Sequence, residues 1–195
     1  MSEEATASTV DDAERPHGRV GVAVLVLAVA AGFALIPRLT RGCEATALDE
    51  DAPAFKGRVV ANAEALATDG APPPATLELA ALKGHPVVLD FWATWCGPCQ
   101  AESPIVNTIA QRYRDKGLVV VGVNTSDEDG LAAAFVKKKR LEFPMIYDEG
   151  SSIAKAYGVS SLPTLIVVSK AGKIVAVRRG VTSDSALDEI VRRYL

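Results

Sequence analysis

The apolar run Pro86-Val87-Val88-Leu89-Asp90-Phe91-Trp92 carries a single acid, and Cys96-Gly97-Pro98-Cys99 follows it after three residues. A short continuous apolar run is what a strand covered on both faces requires. Proline is tolerated in the first turn of a helix and glycine gives the turn room, so the cysteines are expected where a helix begins. Cys96 then stands at the open end and Cys99 one turn further in. A strand, a tight turn and a helix start within so few residues restrict the chain to an architecture in which strands alternate with helices.

Two close cysteines admit three readings. A zinc site needs four ligands, or three and a water, and a second ligand pair at characteristic spacing usually marks one. Here His17 lies near the N-terminus, His85 stands alone ahead of the strand, and Cys43 is far from the pair, so no metal is expected. An inert buried pair does not need Gly97-Pro98 between its thiols. The third reading is a dithiol/disulfide couple. A thiolate at a helix N-terminus is stabilised by the dipole and by unpaired backbone N–H groups, so Cys96 is expected to titrate below a free cysteine and to act as nucleophile. Cys99, three residues on, is placed to resolve a mixed disulfide. Two thiols carry this chemistry, and no cofactor is expected.

Acids flank the pair. Asp90 is on the strand, where alternation can turn it inward beneath the cysteines. A buried carboxyl has a raised pKa and can relay the proton that Cys99 must lose. Glu102 is one turn past Cys99 and is a second candidate for that role, although an exposed helix glutamate is common.

The rest of the chain divides by composition. With 195 residues, 49% of them hydrophobic, it can bury one ordinary core and carry an appendage. The net charge of -3 offers no basic field for a phosphate backbone, so nucleic acid is not expected as a partner. Residues 1–19 are acidic and lack apolar periodicity, and read as a disordered tail. Residues 20–36, VGVAVLVLAVAAGFALI, contain no charged or strongly polar side chain, and read as a single membrane-spanning signal-anchor at the lower limit of length. Arg15 and Arg19 precede this run and Arg38 and Arg41 follow it, a tie that leaves orientation undecided by charge. Residues 37–51 are expected to be a linker. Residues 44–75 as a whole read as a partly extended spacer, with only Phe55–Val60 strand-like.

From Thr76 onward the pattern gives a short strand (TLEL), the apolar strand, and a helix with Ile105, Val106, Ile109, Ala110 and Tyr113 at helical spacing. A strand at 118–123, a helix carrying Leu131, Ala134 and Phe135, and a short helix over 152–157 come next. A hairpin of strands 164–168 and 174–178 follows, then a last helix capped by Thr182 or Ser183, with Leu187, Ile190, Val191 and Tyr194 facing inward. The basic run 137–140 reads as a solvated helix C-terminus. The sum is an α/β fold with a mixed central sheet flanked by helices.

These residues also resemble a known family. DFWATWCGPC resembles the active-site signature of thioredoxins, and SLPT (161–164) resembles the thioredoxin loop whose proline follows a cis peptide bond and faces the cysteines. The resemblance implies that Leu162-Pro163 is cis, and that Trp95, Gly97, Pro98, Leu162 and Pro163 form the surface on which a substrate docks. Several features are similar to the TlpA/ResA branch of membrane-anchored bacterial thioredoxin-like proteins. They are Glu102 three residues after the second cysteine, the insert after VVVGVNTSDEDG, the Phe143-Pro144 step, and the AYGVSSLPT and KAGKIV segments. Ala52-Pro53-Ala54-Phe55 matches the opening of that domain, so the resemblance spans 52–195.

This resemblance implies a bacterial inner-membrane protein held by residues 20–36, with its catalytic domain on the extracytoplasmic (periplasmic) side, where protein disulfides persist. It implies a thiol:disulfide oxidoreductase that reduces disulfide-containing proteins, apocytochrome c among them, and is itself re-reduced by a membrane electron donor. The alternatives are a disulfide oxidase or isomerase and, from another class, a membrane-tethered copper chaperone. The Gly-Pro dipeptide and Asp90 depart from the cytochrome c reductases of the branch, which commonly carry other residues between their cysteines and often lack that acid.

Overall fold

The computed structural model describes residues 48–67 and 71–195. Its strands and helices are β1 (Lys56–Ala61), β2 (Thr76–Glu78), β3 (Val87–Trp92), α1 (Gly97–Tyr113), β4 (Val119–Thr125), α2 (Leu131–Lys139), β5 (Met145–Asp148), α3 (Ser152–Ala156), β6 (Thr164–Val168), β7 (Ile174–Arg179) and α4 (Asp184–Tyr194). They form one seven-stranded sheet in the order β2-β1-β5-β4-β3-β6-β7. β3, β4 and β5 run parallel, while β6 is antiparallel to β3, β7 to β6, β1 to β5 and β2 to β1. The sheet is mixed, as the sequence pattern requires.

β3 lies inside the sheet between β4 and β6, and all six of its residues are buried. Alternation sends Val88 and Trp92 into one cluster with Val106 and Ile109 of α1, Ala132 and Val136 of α2, and Leu187 and Val191 of α4. Val87, Leu89 and Phe91 enter the opposite cluster with Tyr157, Ile153, Phe55 and Leu77. Each fully buried aliphatic or aromatic side chain contributes roughly 1.5–3 kcal/mol. Five apolar residues on one strand therefore offset the cost of placing Asp90 among them.

The hairpin β6-β7 and the Ser183 cap of α4 lie where the pattern puts them, with Ser183 Oγ accepting the Ala186 N–H at 3.3 Å. Tyr194 is only half-buried at the helix end. Other readings change. Within residues 44–75 one strand, β1, joins the sheet beside β5, because Gly57 lets it lie close over Ile146, where a Cβ would come within 2.7 Å of the Ile146 Cδ1. Residues just ahead of Ala52 also pair with the start of β7. The Asp49 N–H bonds the Ile174 carbonyl at 2.8 Å, and the Ile174 N–H bonds the Glu50 carbonyl at 2.9 Å. β5 has only four residues and no pattern of its own, and it forms because β4 and β1 supply ladders on both sides. In α2 Ala132 and Val136 are buried while Leu131 and Ala134 are exposed, since the Phe135 ring packs on Trp92 at 5.0 Å between centroids and sets the helix rotation.

The apolar run 20–36 and the tail before it lie outside the described residues. Among the described residues no helix is long and apolar enough to cross a membrane.

Candidate active site

β3 ends at Trp92, and Ala93, Thr94 and Trp95 lead to Cys96, the N-cap of α1. The cap is a sulfur: the Cys99 N–H points at Cys96 Sγ at 3.2 Å, and the Cys96 N–H closes a turn on the Ala93 carbonyl at 3.2 Å. Pro98 occupies the first turn of α1, where its missing N–H leaves no bond unmade. Cys96 and Cys99 form a disulfide, with Cα atoms 5.2 Å apart. Both are buried, 4% and 3% exposed, so accessibility does not separate their roles; position on the helix does. Their neighbours Trp95, Gly97 and Pro98 are exposed, Trp95 by 63%.

The flanking acids are both buried and lie close enough to interact. Asp90 alternates with Val88 and Trp92 and so faces the helix side of the sheet. It is 4% exposed, and its Oδ1 has no hydrogen-bond partner among the described residues. Burial, and then the nearby charge of Glu102, push its pKa well above the ordinary aspartate value. Glu102, 1% exposed, is not a surface glutamate. Its Oε1 accepts the Thr182 backbone N–H at 2.6 Å, while Oε2 is buried without a partner among the described residues. Burial raises the Glu102 pKa, and the bonds from Thr182 draw it part of the way back. Two buried carboxyls of raised pKa are the kind of groups that can hold and pass a proton.

Strand β6 brings the third element. Thr164 pairs with Phe91, so the residues just before it lie at the end of the sheet where β3 delivers the cysteines. The Leu162-Pro163 bond is cis. Pro163 is buried and its carbonyl takes the Gly180 N–H at 2.9 Å, whereas Leu162 is half-buried and makes no backbone hydrogen bond among the described residues. The Leu162 backbone N–H and C=O are thus left unengaged by the described residues.

A model described as Redoxin matches residues 47–191. The chain belongs to the redoxin family. Among its relatives, this redoxin is 32% identical to the thiol-disulfide oxidoreductase ResA of Bacillus cereus over 172 residues, 88% of this chain and 92% of that protein. The same identity holds with ResA of Bacillus subtilis over 171 residues, 88% of each chain. Its fold is similar to a Chlorobium tepidum protein assigned as a DsbE thiol:disulfide interchange protein (TM-score 0.66, 27% identity, 76% of this chain and 97% of that one). It is similar also to a secreted Mycobacterium tuberculosis disulfide oxidoreductase homologous to E. coli DsbE (TM-score 0.56, 26% identity, 72% and 93%). This redoxin is a thiol-disulfide oxidoreductase of the ResA/DsbE type, and its redox couple is Cys96-Cys99.

Sequence reasoning missed Thr182 and Thr94. The first reaches Glu102 from 80 residues away, a separation that leaves no local signal. The second lies within the signature itself, and Gln100 Nε2 holds its carbonyl at 2.9 Å. Among the described residues no three His, Cys, Asp or Glu side chains are grouped to hold a metal ion.

Proposed function

We propose that the chain is a membrane-anchored reductase of extracytoplasmic protein disulfides, with residues 20–36 as its anchor in the bacterial inner membrane and residues 52–195 as its catalytic domain. The observation that supports it is a disulfide at the N-terminus of α1 with two buried carboxyls of raised pKa on the same face of the sheet.

In this reading the reduced Cys96 thiolate attacks one sulfur of a target disulfide. The target S–S bond breaks, a mixed disulfide forms, and the released target thiolate takes a proton. Cys99 then loses its proton towards Asp90 or Glu102 and attacks Cys96 Sγ, which expels the second target thiolate. The target gains two electrons, and Cys96-Cys99 becomes a disulfide. A dithiol donor associated with the membrane restores the couple by the same exchange in reverse. Trp95, Gly97, Pro98, Leu162 and Pro163 form the docking surface, and apocytochrome c is one substrate of suitable chemistry.

The reduction potential tests direction. A reductase is expected to lie near the thioredoxin value of about -270 mV, and a value near -120 mV would make the protein an oxidase. Insulin reduction that survived Cys96→Ser would refute the nucleophile. A reporter fused after Leu195 that worked only in the cytoplasm would refute the topology. For the substrate, loss of covalently bound haem in a strain lacking this protein is expected, and an unchanged c-type cytochrome content would remove apocytochrome c.

A further inference from the structure

The loop that delivers Cys96 is fastened by a residue far from it in sequence. Asp127, just past β4, accepts the Thr94 N–H on Oδ2 at 2.7 Å and the Thr94 hydroxyl on Oδ1 at 2.8 Å. Asn124 Nδ2 donates to the same Oδ2 at 2.8 Å and orients the carboxylate. The Asp127 carbonyl takes the Tyr147 hydroxyl at 3.2 Å, so β5 holds the backbone of the loop as well. One residue before, the Ser126 carbonyl accepts the indole N–H of Trp95 at 2.8 Å, the one polar group on that exposed ring. With Gln100 on its carbonyl, Thr94 has its N–H, hydroxyl and C=O all engaged.

We infer that Asp127 is a positioning residue that presets the Thr94-Trp95 loop for docking of a polypeptide substrate. It touches neither sulfur. The Cys96 turn is closed by its own bond to Ala93, and the disulfide is closed within α1, so the exchange chemistry does not depend on Asp127. The indole is bonded to the Ser126 carbonyl, next to Asp127, and so sits on the same two segments that the bonds between Thr94 and Asp127 hold together. Trp95 is 63% exposed, follows Thr94 directly, and without the clasp would have to be ordered when a substrate binds. Ordering a loop and a large side chain at binding lowers affinity, while a preset surface avoids that loss. The inference rests on the reading of Trp95 as part of the docking surface.

The test uses the full-length chain. Asp127→Ala is expected to raise KM for insulin by about 3- to 10-fold with kcat nearly unchanged, the range set by ordering one loop side chain. Its equilibrium with dithiothreitol, which needs no docking surface, is expected to stay at the wild-type value. Backbone amide exchange over residues 93–96 should speed up in the variant. Thr94→Val, which keeps the N–H bond and removes the hydroxyl bond, is expected to give a smaller KM rise and carries the test if Asp127→Ala does not fold. Adding Thr94→Val to Asp127→Ala should then change little further.

An unchanged KM in a folded Asp127→Ala protein would overturn the inference. So would a parallel loss with dithiothreitol, which would mark general loosening instead. Unchanged amide exchange at 93–96 would overturn the clasp whatever the substrate result. A wild-type chain that failed to reduce insulin would refute the reductase reading and leave the exchange measurement to decide the clasp.

Discussion

Glu102 takes the backbone N–H of Thr182 at 2.6 Å, and that bond ties the helix carrying both cysteines to the segment between β7 and α4. Two residues earlier in the same segment, the Gly180 N–H holds the Pro163 carbonyl. The cis-proline loop and the buried carboxyl are thus fixed by one three-residue stretch. In the proposed function, proton handling and substrate docking would therefore share a support.

The charge of Glu102 contributes to the raised pKa of Asp90. Glu102→Gln is therefore expected to lower the Asp90 titration, read from its carboxyl carbon resonance, and to move the acid limb of the resolving step to lower pH. An Asp90 titration that stayed in place would show that the two groups are not coupled.

Asp90 itself links stability to pH. Its pKa in the folded chain lies above the ordinary value of 3.8, so between those two values the native chain holds a proton that the unfolded chain has lost. Stability falls as pH rises through that window, and the cost is complete above the folded pKa. Asp90→Asn removes the titrating group and is expected to flatten this dependence and to raise stability in urea on the alkaline side of that window. Wild type and variant should converge below pH 3.8, and a gap that persisted there would point to a packing effect. Resolution should slow in the same variant.

The cysteine order predicts a trap. Cys99→Ser is expected to accumulate a mixed disulfide between Cys96 and the target, visible as a species that dithiothreitol cleaves, whereas Cys96→Ser should form none. Trapping through Cys99 in the Cys96→Ser protein would reverse the roles.

Gly122 pairs with Asp90 across β3 and β4. A Cβ there would overlap Met145 Sδ and lie 3.1 Å from Trp92 Nε1, beneath the redox loop. Gly122→Ala is expected to cost roughly 1–3 kcal/mol in thermal or urea unfolding, as overpacking does. An unaltered midpoint would mean that Met145 moves aside without penalty.

Much of this was legible before folding was considered. β3, α1, the β6-β7 hairpin and the Ser183 cap announce themselves through local periodicity and cap chemistry, which depend on neighbours within a few residues. β5 and the role of β1 were not legible, because a short strand is stabilised by its ladder partners rather than by its own residues. The inward face of α2 was not legible for a similar reason. Its nine residues carry a weak apolar stripe, and the Trp92-Phe135 contact decides which side turns inward.

In the site the division follows separation along the chain. A cysteine pair at a helix start, an acid on the strand before it and a proline loop resembling that of thioredoxins can each be read from consecutive residues. The burial and tethering of Glu102 and the clasp on Thr94 come from folding. Thr182 lies 80 residues from Glu102 and Asp127 lies 33 from Thr94, and a hydrogen bond across such distances leaves no period or spacing to read. It exists because the sheet brings the ends of β3, β4 and β6 to one place.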